Sequence, residues 1–291
     1  LRILTFFIAT ITALSLSYKG KSQGITQAFK IYRQNGKEAS IKEMADVLTK
    51  MDVIMFGEMH NNPIDHWLQI ELVKYLAKKN DLILGAEMFE RDDQLVLNEY
   101  LSGTIKLDHL KKEAKLWPNY DTDYSPLVEF AKENHVEFIA TNVPRRYASL
   151  VSREGQLALD SLSDEAKRLL PPLPYSVDSN DLGYIDMREM MSGHGHGMSI
   201  DYLIEAQALK DYSMASSIAQ NLKGDVIFVH FNGSFHSQKF AGINTYLKKL
   251  KPNTSIGVIA SLESDDLIFN DEWKELGDFI IVTNSIMTKT H

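Results

Sequence analysis

No cysteine occurs anywhere in the 291 residues. That absence excludes disulfide staples, zinc–thiolate sites, a thiol nucleophile and a lipid-modified N-terminal cysteine. Any chemistry must come from histidine, carboxylate, tyrosine or methionine side chains. Basic charge is also scarce: 31 Lys and Arg stand against 39 Asp and Glu, a net charge of −8. Such a chain is poorly suited to nucleic acid or to an anionic membrane surface, and no nucleic-acid partner is expected. No internal repeat or low-complexity tract appears. A content of 44% hydrophobic and 24% charged residues excludes disorder and supplies one large or two modest cores. One long apolar run stands out, Ile3 to Leu16, preceded by Arg2 and followed by Lys19 and Lys21. It is too short to span a bilayer convincingly and reads as an export signal over 1–23, with cleavage after Ser17 or near Ser22-Gln23. The mature chain is then still more acidic, and a periplasmic or envelope-associated location without a Cys-linked lipid follows.

Beyond the leader, Ala28 to Ser40 alternates about Asn35-Gly36, a pair suited to a type I′ hairpin turn. Ser40 and Glu43 form a capping box ahead of the apolar stripe Ile41, Met44, Val47 and Leu48. Buried strands are predicted at Val53–Phe56, Leu82–Ala86, Val136–Ala140, Val226–Phe231, Ser255–Ala260 and Phe279–Val282. Helices are predicted between most of them, including Ile64–Ala77, Ser125–Glu133 and Ser237–Leu250. Continuous apolar strands alternating with helices indicate a doubly wound α/β fold with a mainly parallel sheet. Between Thr141 and Val226 no strand is legible. This interval reads as an inserted helical subdomain over 145–214, the sheet domain being 24–144 and 215–291.

Ligand crevices of open parallel sheets lie beyond the carboxyl ends of the strands. There the chain carries Gly57-Glu58-Met59-His60, then Glu87, then Asn142 with Arg145 and Arg146, then Gly233-Ser234-Phe235-His236. Two copies of Gly-x-x-His therefore occupy matching positions. Singly, a His or Glu after a strand is usually a solvated loop residue or a helix cap. Together, Glu58, His60, Glu87 and His236 form a ligand set for a divalent transition metal, with a spare glutamate as general base of a hydrolase. Asn62 is expected to cap the following helix and His66 has either role. Arg145 would neutralise a carboxylate of the site or of an anionic ligand.

The segment Tyr184 to Met198, with Tyr175 upstream, concentrates phenol, imidazole and thioether groups. Haem iron accepts all three, and methionines supply apolar surface for a porphyrin. Equally, Met187, Met190 and Met191 suit a helix core and His194 and His196 suit solvent.

Taken together, these motifs resemble the ChaN-type haem-binding lipoproteins of bacterial iron uptake, over nearly the whole mature chain. The resemblance rests on Gly57 to Pro63, Glu87 to Arg91 with Gln94, Asn142 to Arg145, Tyr184 to Met198, Ala206 to Asp211 with Met214-Ala215, and the second Gly-x-x-His. It implies kinship with a wider group that includes erythromycin esterase and the Tiki metalloproteases. It further implies ferric haem held at a homodimer interface and an outer-membrane haem receptor as partner. Carried over, Tyr184 would ligate iron, with Tyr147 and Tyr175 as substitutes. His194 or His196 and Lys210 would take the propionates. The missing lipobox cysteine departs from that family and points to a form that is not lipid-anchored. The competing expectation is a metal-dependent hydrolase, of esterase or peptidase type.

Overall fold

The computed structural model describes residues 27–192 and 199–291. Its strands are β1 (Phe29–Arg33), β2 (Glu38–Ala39), β3 (Val53–Glu58), β4 (Leu82–Glu90), β5 (Glu137–Asn142), β6 (Ile227–Gly233), β7 (Ile256–Ser264) and β8 (Phe279–Asn284). The α-helices are α1 (Ile41–Leu48), α2 (Pro63–Leu76), α3 (Gln94–Leu101), α4 (Leu107–Glu113), α5 (Ser125–Asn134), α6 (Arg145–Glu154), α7 (Asp164–Lys167), α8 (Leu182–Met191), α9 (Ile200–Asn221) and α10 (Ile243–Leu250). They build an eight-stranded sheet in the order β2-β1-β8-β7-β3-β6-β4-β5. From β3 to β8 every pairing is parallel, and the antiparallel hairpin of β1 and β2 extends the β8 edge. The doubly wound α/β expectation holds.

Both faces of the sheet are covered, which is why its strands read as unbroken apolar runs. Ile54 and Phe56 of β3 enter the core shared with α1, α2 and α5, whereas Val53 and Met55 enter the opposite core. Helices α6, α9 and α10 close that second side: Val151, Leu209, Met214 and Leu247 pack with Ile83 and Phe228. The helical stretch between β5 and β6 thus shares a core with the sheet. No described helix is long and apolar enough to cross a membrane.

Three local expectations are corrected. Among the hairpin loop residues only Gly36 is left-handed (φ +81), so a longer loop replaces the type I′ turn, which needs positive φ at Asn35 as well. Strands β3, β4 and β6 run two to four residues past their predicted ends, carrying Glu58 within β3 and Glu87 into an irregular part of β4, where the pairing with β5 shifts register between Ala86 and Glu90. The helix predicted from Ser237 begins only at Ile243. Lys239, Phe240 and Gly242 all adopt positive φ (57, 56 and 57), and short 3-10 turns occupy the interval. The capping box of Ser40 and Glu43 and the Asn62 cap both form.

Candidate functional site at the strand ends

In sequence the chain moves outward from β3 to β4 and β5, then returns through α9 to place β6 between β3 and β4. This reversal leaves a crevice at the carboxyl ends of β3, β6 and β4, the location at which doubly wound sheets bind ligands. Glu58, Glu87 and His236 are all buried there, and His60 is partly exposed.

Gly233 is the point where they meet. A Cβ on this residue would lie 2.7 Å from His60 Nε2 and 3.6 Å from Glu87 Oε2, so only glycine leaves room for both side chains. The Gly233 N–H donates to Glu87 Oε2 (2.8 Å), and His236 Nε2 lies 3.2 Å from Glu87 Oε1. On its other side His236 Nδ1 donates to Asp211, which also accepts from the Tyr184 hydroxyl (2.8 Å). His60 donates from Nδ1 to Glu58 Oε1 (2.9 Å), leaving Nε2 with no hydrogen bond among the described residues. Tyr124 (2.8 Å) and Gln69 also donate to Glu58. A π-helical turn, Tyr120–Tyr124, aims that tyrosine inward, an irregularity frequent at functional sites.

Electrostatics follow from burial and pairing. Burial opposes protonation of His236, yet Glu87 and Asp211 outweigh it and push the imidazole up to about 10. Burial alone would raise Glu87, but the His236 charge, with help from His60 and the Gly233 N–H, holds it well below the usual carboxylate range. His60 is lowered by burial and raised by Glu58 and Glu87, with a net rise. Burial pushes Asp65 up to about 7, against hydrogen bonds from the Met59 N–H (2.8 Å) and the Ser261 hydroxyl (2.9 Å) that fix the turn before His60. At neutral pH His236 is therefore an imidazolium between two acids, and His60 offers a ring nitrogen to the crevice. Deeper in β6, burial pushes His230 down to about 4, leaving a neutral ring hydrogen-bonded to Thr141 and Asn232.

Glu58, His60, Glu87 and His236, expected as metal ligands, form hydrogen-bonded histidine–carboxylate pairs. Among the described residues no group of three or more such side chains is arranged to hold a metal ion. Arg145 is exposed, its guanidinium 6.0 Å from the Trp117 ring centre and 4.0 Å from Glu90, and Trp117 in turn packs edge-on against His60. His66 bonds the His60 carbonyl (3.1 Å).

Tyr184 is the surprise. Sequence reasoning keeps it apart from the sheet cluster, yet its hydroxyl joins that cluster through Asp211, and burial together with Asp211 holds the phenol well above its ordinary range. The other tyrosines are also engaged: Tyr175 donates to the Glu205 carbonyl (2.9 Å), and Tyr147 lies 3.4 Å from an Arg146 nitrogen. Lys210 is partly buried on α9. His194 and His196 lie outside the described residues. Asp211, Gln207 and Tyr202 escaped the sequence reading as site residues. Gln207 and Asp211, four apart on one helix face, are the signal that could have revealed the first two, since both reach His236.

Beside α8 and α9 lies a cleft of about 660 Å³, walled by Tyr175, Tyr184, Ile185, Tyr202 and Ile204 with Arg188. Tyr202 is 37% exposed, and its hydroxyl has no partner among the described residues.

Comparison with known proteins is consistent with this architecture. A family model described as haem-binding uptake, Tiki superfamily, ChaN matches residues 44–247. The solved structure of ChaN from Campylobacter jejuni, described as binding haem cofacially, superposes with a TM-score of 0.68 at 18% identity, covering 89% of this chain and 98% of that one. An erythromycin esterase in its open conformation matches at a TM-score of 0.46 and 13% identity, over 81% of this chain and 77% of that one. In sequence, the chloroplastic protein RETICULATA-RELATED 5 of Arabidopsis thaliana is 26% identical over 192 residues, 62% of this chain. The match spans only 26% of the length of that curated relative.

Proposed function

The chain belongs to the ChaN family of haem-binding uptake proteins in the Tiki superfamily, and from that premise we propose that it binds ferric haem in the bacterial envelope and serves haem or iron acquisition. The observation that carries the reading is the tyrosine-walled cleft of about 660 Å³ beside α8 and α9, within the size range of cofactor sites. Bound there, ferric haem would supply a Lewis-acidic iron, for which a phenolate oxygen is a natural ligand. Tyr184 would have to break its bond to buried Asp211 to serve, whereas Tyr202 has no such bond to lose. Tyr202 is therefore assigned to the iron, with Tyr184 and Tyr175 as walls. Arg188, now paired with Asp201 (2.8 Å), suits a propionate, as do His194 or His196 on the segment that joins the two helices. Lys210 is not among the residues lining this cleft and is the weaker candidate. A homodimer would enclose the exposed side of the cofactor, and delivery would pass through an outer-membrane receptor. Titration of the purified protein with ferric haem is expected to give a saturable absorption change. Tyr202→Phe should weaken it by about tenfold or more and abolish phenolate-to-iron charge transfer. An unaltered spectrum in Tyr202→Phe with loss in Tyr184→Phe would return the iron to Tyr184.

A second reading is favoured by the convergence of His60 Nε2 and Glu87 Oε2 beside Gly233. His60, Glu87 and Glu58 would be the donors to a divalent transition metal, which would supply an activated water for hydrolysis when bound, whereas His236 would first have to give up a proton held between Glu87 and Asp211. Protein purified without chelator is expected to retain stoichiometric metal, and the pair His60→Ala with Glu87→Ala to lose it. Equal metal content in both proteins would remove the basis for this reading.

A further inference from the structure

Arg91 follows β4 directly, in a 3-10 turn shared with Asp92 and Asp93. Its acidic neighbours are already paired elsewhere. Asp92 binds Lys115 (2.8 Å) and Arg146 (2.6 Å), and Asp93 accepts from the Lys115 N–H (3.1 Å). Arg91 itself lines a different space, a cavity of about 660 Å³ along β5, the outer strand of the sheet. Among the described residues its guanidinium makes no hydrogen bond and no ion pair, and Nη1 is buried without a partner. Consistent with that isolation, burial alone acts on its proton affinity, lowering it, with no carboxylate opposing.

Arg91 is half-buried, and a guanidinium nitrogen shut off from water without a partner is costly. The rest of the wall does not supply one. The single carboxylate there, Glu137, is bound to Lys223 (2.7 Å). Asn98, His135 and Gln220 add neutral hydrogen-bonding groups. Nor is this an open strand edge waiting for another strand. The Gln94 amide accepts from the Ala140 N–H (2.7 Å) and donates to the Phe138 carbonyl (3.0 Å), imitating a neighbouring strand and blocking the addition of one.

We infer that this cavity is a second ligand site, in which Arg91 binds the carboxylate or phosphate group of a small polar molecule. The site lies on the outer side of β5, apart from the crevice around Gly233 and from the tyrosine cleft, and it does not rest on the haem reading. A planar guanidinium suits either oxyanion, so the probes separate them.

The full chain is titrated separately with acetate and with inorganic phosphate at physiological ionic strength, following the Arg91 Nε–Hε resonance and the heat of binding. At least one probe is expected to shift that resonance saturably. Arg91→Gln should then bind it about tenfold more weakly or worse, Arg91→Lys should retain part of the affinity, and Lys115→Gln should match the parent. Whichever probe binds names the oxyanion class. Absence of a saturable shift with both probes in the parent protein, a measurement that needs no variant to fold, overturns the site. Equal affinity in a folded Arg91→Gln protein does so too.

Discussion

His236→Ala is expected to lower the unfolding free energy by about 3–5 kcal/mol, the usual cost of breaking a buried ion pair from one side. Both acids that flank the ring, Glu87 and Asp211, would be left in the interior without their cation. An exposed histidine such as His109 should change stability by less than about 0.5 kcal/mol when replaced by alanine. The pH profile provides the sharper measurement. His236 titrates near 6.5 when unfolded and is pushed to about 10 when folded, so its contribution is complete below 6.5 and declines as pH rises towards 10. Glu87 is depressed instead, so its contribution is present above its ordinary value of 4.5 and is lost as pH falls. Chemical denaturation should therefore show stability falling from about pH 6.5 upward in the parent and a much flatter profile in His236→Ala. His60, also raised, leaves a smaller slope of the same sign. Parallel profiles in the two proteins would contradict an imidazolium at position 236.

The second large effect is expected at Gly242. Its backbone (φ 57, ψ −113) falls in a region that side chains with a Cβ rarely enter, at a cost of about 1–3 kcal/mol. The added carbon would also lie 2.5 Å from the His236 carbonyl oxygen and 3.2 Å from Asp211 Oδ2. Gly242→Ala is thus expected to cost about 3 kcal/mol or more and to displace the acid that holds His236. Gly103→Ala provides the control. Gly103 also has positive φ (79), but a Cβ there meets nothing within 4 Å, so only the conformational cost remains, about 1 kcal/mol. Equal midpoints for the two variants in thermal or urea unfolding would show that the packing beside His236 is looser than described.

Much of this molecule is legible along the chain because its signals are local. A strand buried on both faces must be apolar at successive positions, and all six long strands declare themselves this way, Val53 and Leu82 marking the first residues of theirs. The Ser40 and Asn62 caps are equally local, since a helix start needs an acceptor two or three residues away. Where hydrophobicity ends, that signal ends. The extensions of β3 and β6 pair with each other in parallel, and β4 resumes pairing with β5 only at Glu90 and Asn142, contacts made with neighbours far away in sequence. The irregular path from Ser237 to Gly242 is likewise set by tertiary contacts, among them the Gly242 N–H to Asp181 (2.9 Å).

By itself the sequence determined the α/β class, the family, and the convergence of Glu58, His60, Glu87 and His236, because residues that follow parallel strands end at one edge of the sheet. Tertiary structure alone decided how those groups are used. Glu87 and Asp211 charge His236, Gly233 gives His60 its place, and Tyr184 is drawn from the helical layer into the same network. The reason is range. Strand and helix propensity act over a few residues, whereas a proton affinity is set by whatever charges the folded chain brings within a few ångströms, from any distance along it.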